Sequence, residues 1–210
     1  MSPDKQAGLV LAVSTLAVVT FAAVIDILHA PPTRTVLALA EGNASVVPVN
    51  VKSAHGVPAG TPLADRKLAF PVKNFDPANL RDTFDEGRGK HRHEALDIMA
   101  PRGTPVVAVD EGRVAKLFRS VAGGITVYQF DRDETHVYYY AHLDAYANGL
   151  AEGMYLKRGD LVGFVGSTGN APANAPHLHF ALFELGDDRR WWKGSAVNPY
   201  ALLKSAAKSE

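Results

Sequence analysis

Residues 176–183 read Pro176-His177-Leu178-His179-Phe180-Ala181-Leu182-Phe183, and this stretch carries a fold signal and a chemical one together. An apolar run of this length, rich in aromatic residues and led in by proline, reads as a β-strand with a well-buried face. On a strand, residues i and i+2 face the same side with their Cα atoms about 6.5 Å apart. His177 and His179 can then enter one cleft while Leu178 turns into the core. Two imidazoles so placed could both hold one metal ion, or one could hold it while the other acts beside it.

The surrounding sequence repeats the strand signal. Pro105–Val109 precedes the turn Asp110-Glu111-Gly112, and Arg113–Phe118 follows. Gly123-Gly124 opens Ile125–Phe130, and Asp131-Arg132-Asp133-Glu134 reads as a polar hairpin turn before Thr135–His142. Asp160–Gly166 leads into a Gly/Asn/Pro loop and then into the His177 strand. Short β-rich runs with regular turn signals, and no amphipathic helix between them, predict a mainly antiparallel all-β domain. A helical turn near Asn198–Leu203 is expected to close it.

Six of the eight histidines lie in this region, at 91, 93, 136, 142, 177 and 179. His93 and Asp97 offer nitrogen and oxygen ligands, but residues four apart on an extended strand would sit about 13 Å from each other. The segment must bend or be helical. A helix would make His93-Glu94-Ala95-Leu96-Asp97 a relative of HExxH, with the glutamate as general base, yet the segment runs at once into Ile98-Met99-Ala100-Pro101. His91 is a nearby extra candidate, expected to lie outside the ligand set. A period of two places His136, Tyr138, Tyr140 and His142 on one face, and Val137, Tyr139 and Ala141 on the other. That face is either an aromatic cross-strand patch or the rim of the cleft.

Ala7 to Ile25 contains no charged residue and is long enough as a helix to cross a hydrocarbon core. It reads as an uncleaved membrane anchor or as a secretory signal; either would carry the rest of the chain out of the cytoplasm. Lys5 before the run and Asp26 after it weakly favour a cytoplasmic N-terminus. The expected organisation is an anchor or signal over 1–30, a Pro/Gly/Ala-rich stalk over 31–67, a β domain over 68–204 and a tail over 205–210. Lys+Arg and Asp+Glu are equal at 22 each, which argues against a nucleic-acid partner. The absence of cysteine excludes disulfides and thiolate metal sites. Trp191-Trp192 follows the charged run Asp187-Asp188-Arg189-Arg190 and reads either as packing or as a platform for substrate or partner.

Five blocks now stand in order: His93-x-x-x-Asp97, Gly103-Thr104-Pro105-Val106, Tyr140-Ala141-His142-Leu143, Gly166-Ser167-Thr168-Gly169-Asn170 and Pro176-His177-Leu178-His179-Phe180. Together they resemble the lysostaphin/LytM-type zinc endopeptidases over roughly Leu68 to Leu185. The resemblance implies a compact antiparallel β fold with a narrow active-site groove, and one zinc ion held by His93, Asp97 and His179. It implies His142 and His177 as catalytic residues and the peptide cross-links of peptidoglycan as substrate. Tyr140 and Arg88 are candidate substrate-binding residues. Ala95 departs from the family's HxGxD, which implies a slightly different bend between the ligands.

Other readings remain. Relatives of this fold that have lost metal ligands activate other wall hydrolases by binding them, and a proteinaceous substrate is a third possibility. An inner-membrane tether and envelope regulators are the further expected partners.

Overall fold

The computed structural model describes residues 60–206. The apolar run 7–25 and residues 31–59 of the expected stalk lie outside the described residues. Among those described, no helix is long and apolar enough to cross a membrane.

The strands in chain order are β1 (Gly87–Arg88), β2 (His91–Arg92), β3 (Leu96–Met99), β4 (Pro105–Val107), β5 (Gly112–Ser120), β6 (Gly124–Phe130), β7 (His136–Tyr146), β8 (Tyr155–Leu156), β9 (Leu161–Val165), β10 (His177–Leu185) and β11 (Gly194–Ala196). Among the described residues one α-helix, α1 (Tyr200–Ala206), follows them, and short 3-10 turns stand at Leu63–Asp65 and Pro77–Asn79. β1 and β2 form a small hairpin, and the other nine strands make one sheet in which β11, β10, β7, β6, β5 and β8 are successive neighbours. β3 pairs with β10, and β9 pairs with both β4 and β7. Every pairing among these strands is antiparallel. The all-β expectation therefore holds across the described residues.

The strands form where β-branched and aromatic residues run between turn formers. In the β6–β7 turn the Asp131 carboxylate accepts from the Thr135 and His136 amides at 2.8 and 3.1 Å, so the acidic side chain itself closes the hairpin. Leu96, Ile98, Val106, Val109, Leu143, Leu178, Phe180 and Leu182 form the centre of the core, each at most 1% exposed. α1 adds Leu203 to it; the Asn198 side chain accepts from Tyr200 N at the helix start.

The same core holds a polar seam. Arg66 reaches Asp131 at 2.9 Å and Asp110 at 3.2 Å, with all three side chains at most 4% exposed. Tyr138 donates to Asp110 at 3.0 Å. Tyr140 donates to Gln129 at 2.9 Å and accepts from Val109 N at 3.0 Å. No buried side-chain nitrogen or oxygen among the described residues lacks a hydrogen-bond partner, as a polar seam in a core requires. Packing thus extends to Arg66, on the stalk side of the expected boundary at residue 67, and α1 runs two residues past the expected domain end at 204.

Candidate active site

β10 lies between β3 and the first half of β7, and this pairing builds the cleft. Asp97 on β3 and Ala141 on β7 both stand opposite His179. Cross-strand neighbours lie about 4.5–5.5 Å apart, so pairing alone brings Asp97 to His179, residues 82 positions apart in the chain. His177 and His179 both line the cleft, and Leu178 between them is fully buried.

His93 arrives by a bend. Glu94 adopts φ +54°, a left-handed conformation costing roughly 1–2 kcal/mol in a non-glycine residue. The chain turns there between β2 and β3. The segment is therefore bent rather than helical, which removes the HExxH-like reading. The turn is at Glu94, so Ala95 occupies ordinary backbone space, and its methyl group is fully buried.

Three ligand-type atoms converge as a result. His93 Nε2 stands 3.0 Å from Asp97 Oδ1 and 3.1 Å from His179 Nδ1, and the latter two are 3.2 Å apart. His93 Nδ1 faces the Thr83 carbonyl at 3.0 Å. In the neutral ring Nδ1 is then the donor and Nε2 presents a lone pair to the other two atoms. Converging lone pairs repel unless a cation or a proton lies among them. Tetrahedral zinc bonds of about 2.0–2.1 Å would set its ligand atoms about 3.3 Å apart. The observed triangle is within a few tenths of an ångström of that, so the donor set fits the ion in chemistry and in size.

The electrostatics agree. Burial works against the ionised form of Asp97, yet the His179 and His93 rings against it hold its carboxyl well below the usual carboxylate range. His179 is pushed down by burial, whereas His93, also buried, is raised on balance by Asp97. Arg88 on β1 binds the other carboxylate oxygen, Oδ2, at 2.7 Å. It lines the cleft, and its observed contact is with the carboxylate.

His142 and His177 flank the triangle, their ring centroids 5.0 Å apart. His142 Nδ1 faces the Thr168 carbonyl and His177 Nδ1 the Ala175 carbonyl, both at 2.8 Å. Each neutral ring therefore leaves Nε2 as its free lone pair, and His177 Nε2 is 3.7 Å from Asp97 Oδ1. Thr168 is itself fixed. Its hydroxyl donates to Leu143 O at 2.7 Å and accepts from Ile125 N at 2.9 Å. Gly124, at φ +66°, lets this loop approach, since a Cβ there would lie 2.2 Å from Thr168 Oγ1.

Burial, reinforced by the neighbouring His179 and His177 rings, pushes His142 down to about 4 despite its bond to Thr168. The folded value lies below the unfolded one of about 6.5. On acidification the unfolded chain takes up this proton first, so the ring costs stability as pH falls from about 6.5 toward 4. In the metal-free protein, NMR titration should find the His142 ring still neutral at pH 5.5. A midpoint at or above 6.5 would show that the ring is not desolvated as described.

One expected site residue is elsewhere. Tyr140 is fully buried, with its hydroxyl bonded to Gln129 and Val109 on the core side of β7. It cannot touch a substrate. The strand alternation stops short of His142, which adopts φ +59°. Its ring returns to the face of Tyr139 and Ala141, so Tyr139 lines the cleft, 5.9 Å from the His179 ring. His136 packs on Asp131 at 3.2 Å, and His91 stays exposed on the hairpin. The roles of Thr83 and of Thr168, the latter within the Gly166–Asn170 block, are not legible in the sequence because both act on histidines through a backbone carbonyl, which every residue possesses.

The cleft, of about 480 Å³, is lined by all five expected residues of the cluster together with Arg88, Arg92 and Asn170. Comparison with known proteins adds to this geometry. The family model described as Peptidase family M23 matches residues 91–199. The L-Ala–D-Glu endopeptidase of Bacillus subtilis is 29% identical over 150 residues, covering 68% of this chain and 44% of that protein. Lysostaphin of Staphylococcus simulans is 32% identical over 115 residues, covering 54% of this chain and 22% of that protein. The chain thus spans less than half the length of either relative. Among solved structures, lytM from Ruminococcus gnavus superposes with a TM-score of 0.56 at 29% identity, covering 67% of this chain and 60% of that one.

Proposed function

We propose, given that this chain belongs to peptidase family M23, that it is a zinc-dependent endopeptidase hydrolysing the peptide cross-links of peptidoglycan. The observation that carries the reading is the triangle of His93 Nε2, Asp97 Oδ1 and His179 Nδ1, with two further histidines beside it. His93, Asp97 and His179 would hold the ion, three protein ligands being the number typical of a catalytic site. Bound zinc supplies Lewis acidity toward a carbonyl and toward water.

The chain's own side chains do the rest. His142 and His177 are each fixed by a carbonyl at Nδ1, so both present Nε2 to the space in front of the triangle. One neutral imidazole takes the proton of the attacking water, and a protonated partner donates to the oxygen that becomes negative. Their small exposure, 6% and 7%, keeps bulk water from competing for those bonds. Arg88 holds Asp97 from behind and orients the carboxylate. The relatives' names point to the substrate: L-Ala–D-Glu endopeptidase in one case and peptidoglycan DD-endopeptidase in another, from Vibrio cholerae. With residues 7–25 as anchor or signal, the domain would act outside the cytoplasm, at the cell wall.

Purified peptidoglycan sacculi incubated with the full chain should release un-cross-linked muropeptides. Release should stop with a chelator and return with zinc. Zinc binding without any bond cut would replace the enzyme reading with that of a regulator of other hydrolases.

A further inference from the structure

The cleft does not end at its histidines. Tyr139, beside His179, packs on Tyr128 at 4.6 Å, and Tyr128 packs on Trp191 at 4.6 Å. Trp191 in turn meets Trp192 at 5.1 Å. An unbroken file of rings therefore runs from the metal triangle across β7 and β6 to the loop between β10 and β11. Trp191 is partly buried on Tyr128 and Phe118, which accounts for it as packing. Trp192 is not so accounted for: it remains 52% exposed although the Arg190 guanidinium lies over its ring at 5.6 Å. Asp188 holds Arg190 at 3.3 Å and Lys193 at 3.4 Å, so charged donors are fixed beside an exposed indole.

We propose that Trp192, with the Arg190 guanidinium over its ring and Lys193 next to it in the chain, is a binding subsite for an N-acetylated hexosamine of a glycan strand. A pyranose offers a flat patch of C–H groups surrounded by hydroxyls. The exposed part of the indole is complementary to the patch, being apolar and electron-rich, and the neighbouring cations donate to hydroxyl and acetamido oxygens. Main-chain pairing, the usual way to hold more peptide on a sheet, needs an open strand edge rather than an indole. The spacing also fits. Four ring-to-ring steps of 4.6–5.9 Å separate His179 from Trp192. Followed along the file, they put Trp192 at most about 20 Å from His179, a span that about six extended residues cover at 3.3–3.6 Å each. The scissile bond then sits at the histidines while the sugar bearing the stem rests on Trp192. The inference rests on the peptidoglycan reading above.

Trp191 and Trp192 are the two tryptophans of the chain, so intrinsic fluorescence reports this loop directly. Titrating the full chain with chitotetraose should give a saturable change that is lost in Trp192→Ala and partly kept in Trp192→Phe. Two substrates complete the test: a cross-linked muropeptide dimer with its sugars, and the same peptide dimer without them. Trp192→Ala should raise KM for the first by roughly five- to tenfold and leave the second unchanged. No response to the sugar, or equal loss on both substrates, would overturn the subsite. If the wild-type chain cuts neither substrate, the peptidase reading fails; a saturable sugar response then still upholds the subsite, and its absence overturns it.

Discussion

Asp97→Ala should abolish zinc retention and lower the hydrolysis of peptidoglycan by roughly a thousandfold or more. Changes one contact beyond the ligands of a metal site typically cost 10–100-fold in affinity or activity, and a ligand itself should cost more. Asp97 is also the hub of the site, since its Oδ1 faces His93, His179 and His177 at 3.0, 3.2 and 3.7 Å. Without the carboxylate, two neutral imidazoles would be left to hold a dication. Asp97→Asn keeps the shape and removes the charge, so a similar loss there would assign the effect to charge rather than to packing. Arg88→Gln removes the bond to Oδ2 and an exposed ion pair with Glu86 at 3.3 Å, but no ligand atom, and should fall within the milder 10–100-fold range. Metal analysis of the purified variants, run beside the sacculus assay, checks all three. Wild-type zinc content in Asp97→Ala would remove this residue from the ligand set.

The second large effect concerns stability. Arg66→Met should destabilise the fold by about 3–5 kcal/mol, the usual cost of leaving buried charges without their partner. At about 2–4 °C per kcal/mol for a domain near this size, Tm should fall by roughly 10 °C. The Arg66 guanidinium binds Asp131, Asp110 and Asp133 at 2.9, 3.2 and 3.3 Å, and its Nε donates to the Thr61 carbonyl at 3.0 Å. Methionine fills much of the volume but answers none of those oxygens.

The pH dependence of this loss has a definite sign. Burial works against ionised Asp131, yet bonds from His136 and Thr135 and the charge of Arg66 hold its carboxyl below the ordinary range. Its stabilising contribution is therefore present above the unfolded value of about 3.9 and is lost as pH falls through the lower folded value. Without Arg66 the folded value rises, and protonation relieves the buried charge at higher pH. The gap between wild type and Arg66→Met should be widest at pH 7 and narrow toward pH 4. Equal denaturation midpoints at pH 7 would show that the seam contributes nothing to the fold.

Where periodicity is unbroken, the sequence alone was enough. The alternation in His177-Leu178-His179 depends only on the two-residue repeat of a strand, and the fold keeps it. The antiparallel β class followed from short apolar runs between turn formers. The Asp131–Glu134 hairpin followed because an acidic turn residue can bond its own backbone. The spaced blocks of histidine and aspartate pointed to the family.

Tertiary structure decided the rest, and the reason is the same at each position. Glu94 and His142 take left-handed backbone conformations, which nothing in a glutamate or a histidine announces and which the surrounding packing must impose. The first bend brings His93 to Asp97; the second moves His142 onto the cleft face and leaves Tyr140 in the core, with Tyr139 lining the cleft instead. Thr83 and Thr168 act through carbonyls, so their identity carries no sign of the task. Arg66 reads as part of a stalk because a lone arginine in irregular sequence has no period, and its carboxylate partners lie 44–67 residues away. Local pattern settled which residues form strands and which of them face together. Contacts between distant segments settled which side chains meet, because those depend on strand pairing and on backbone strain that only the assembled sheet can hold.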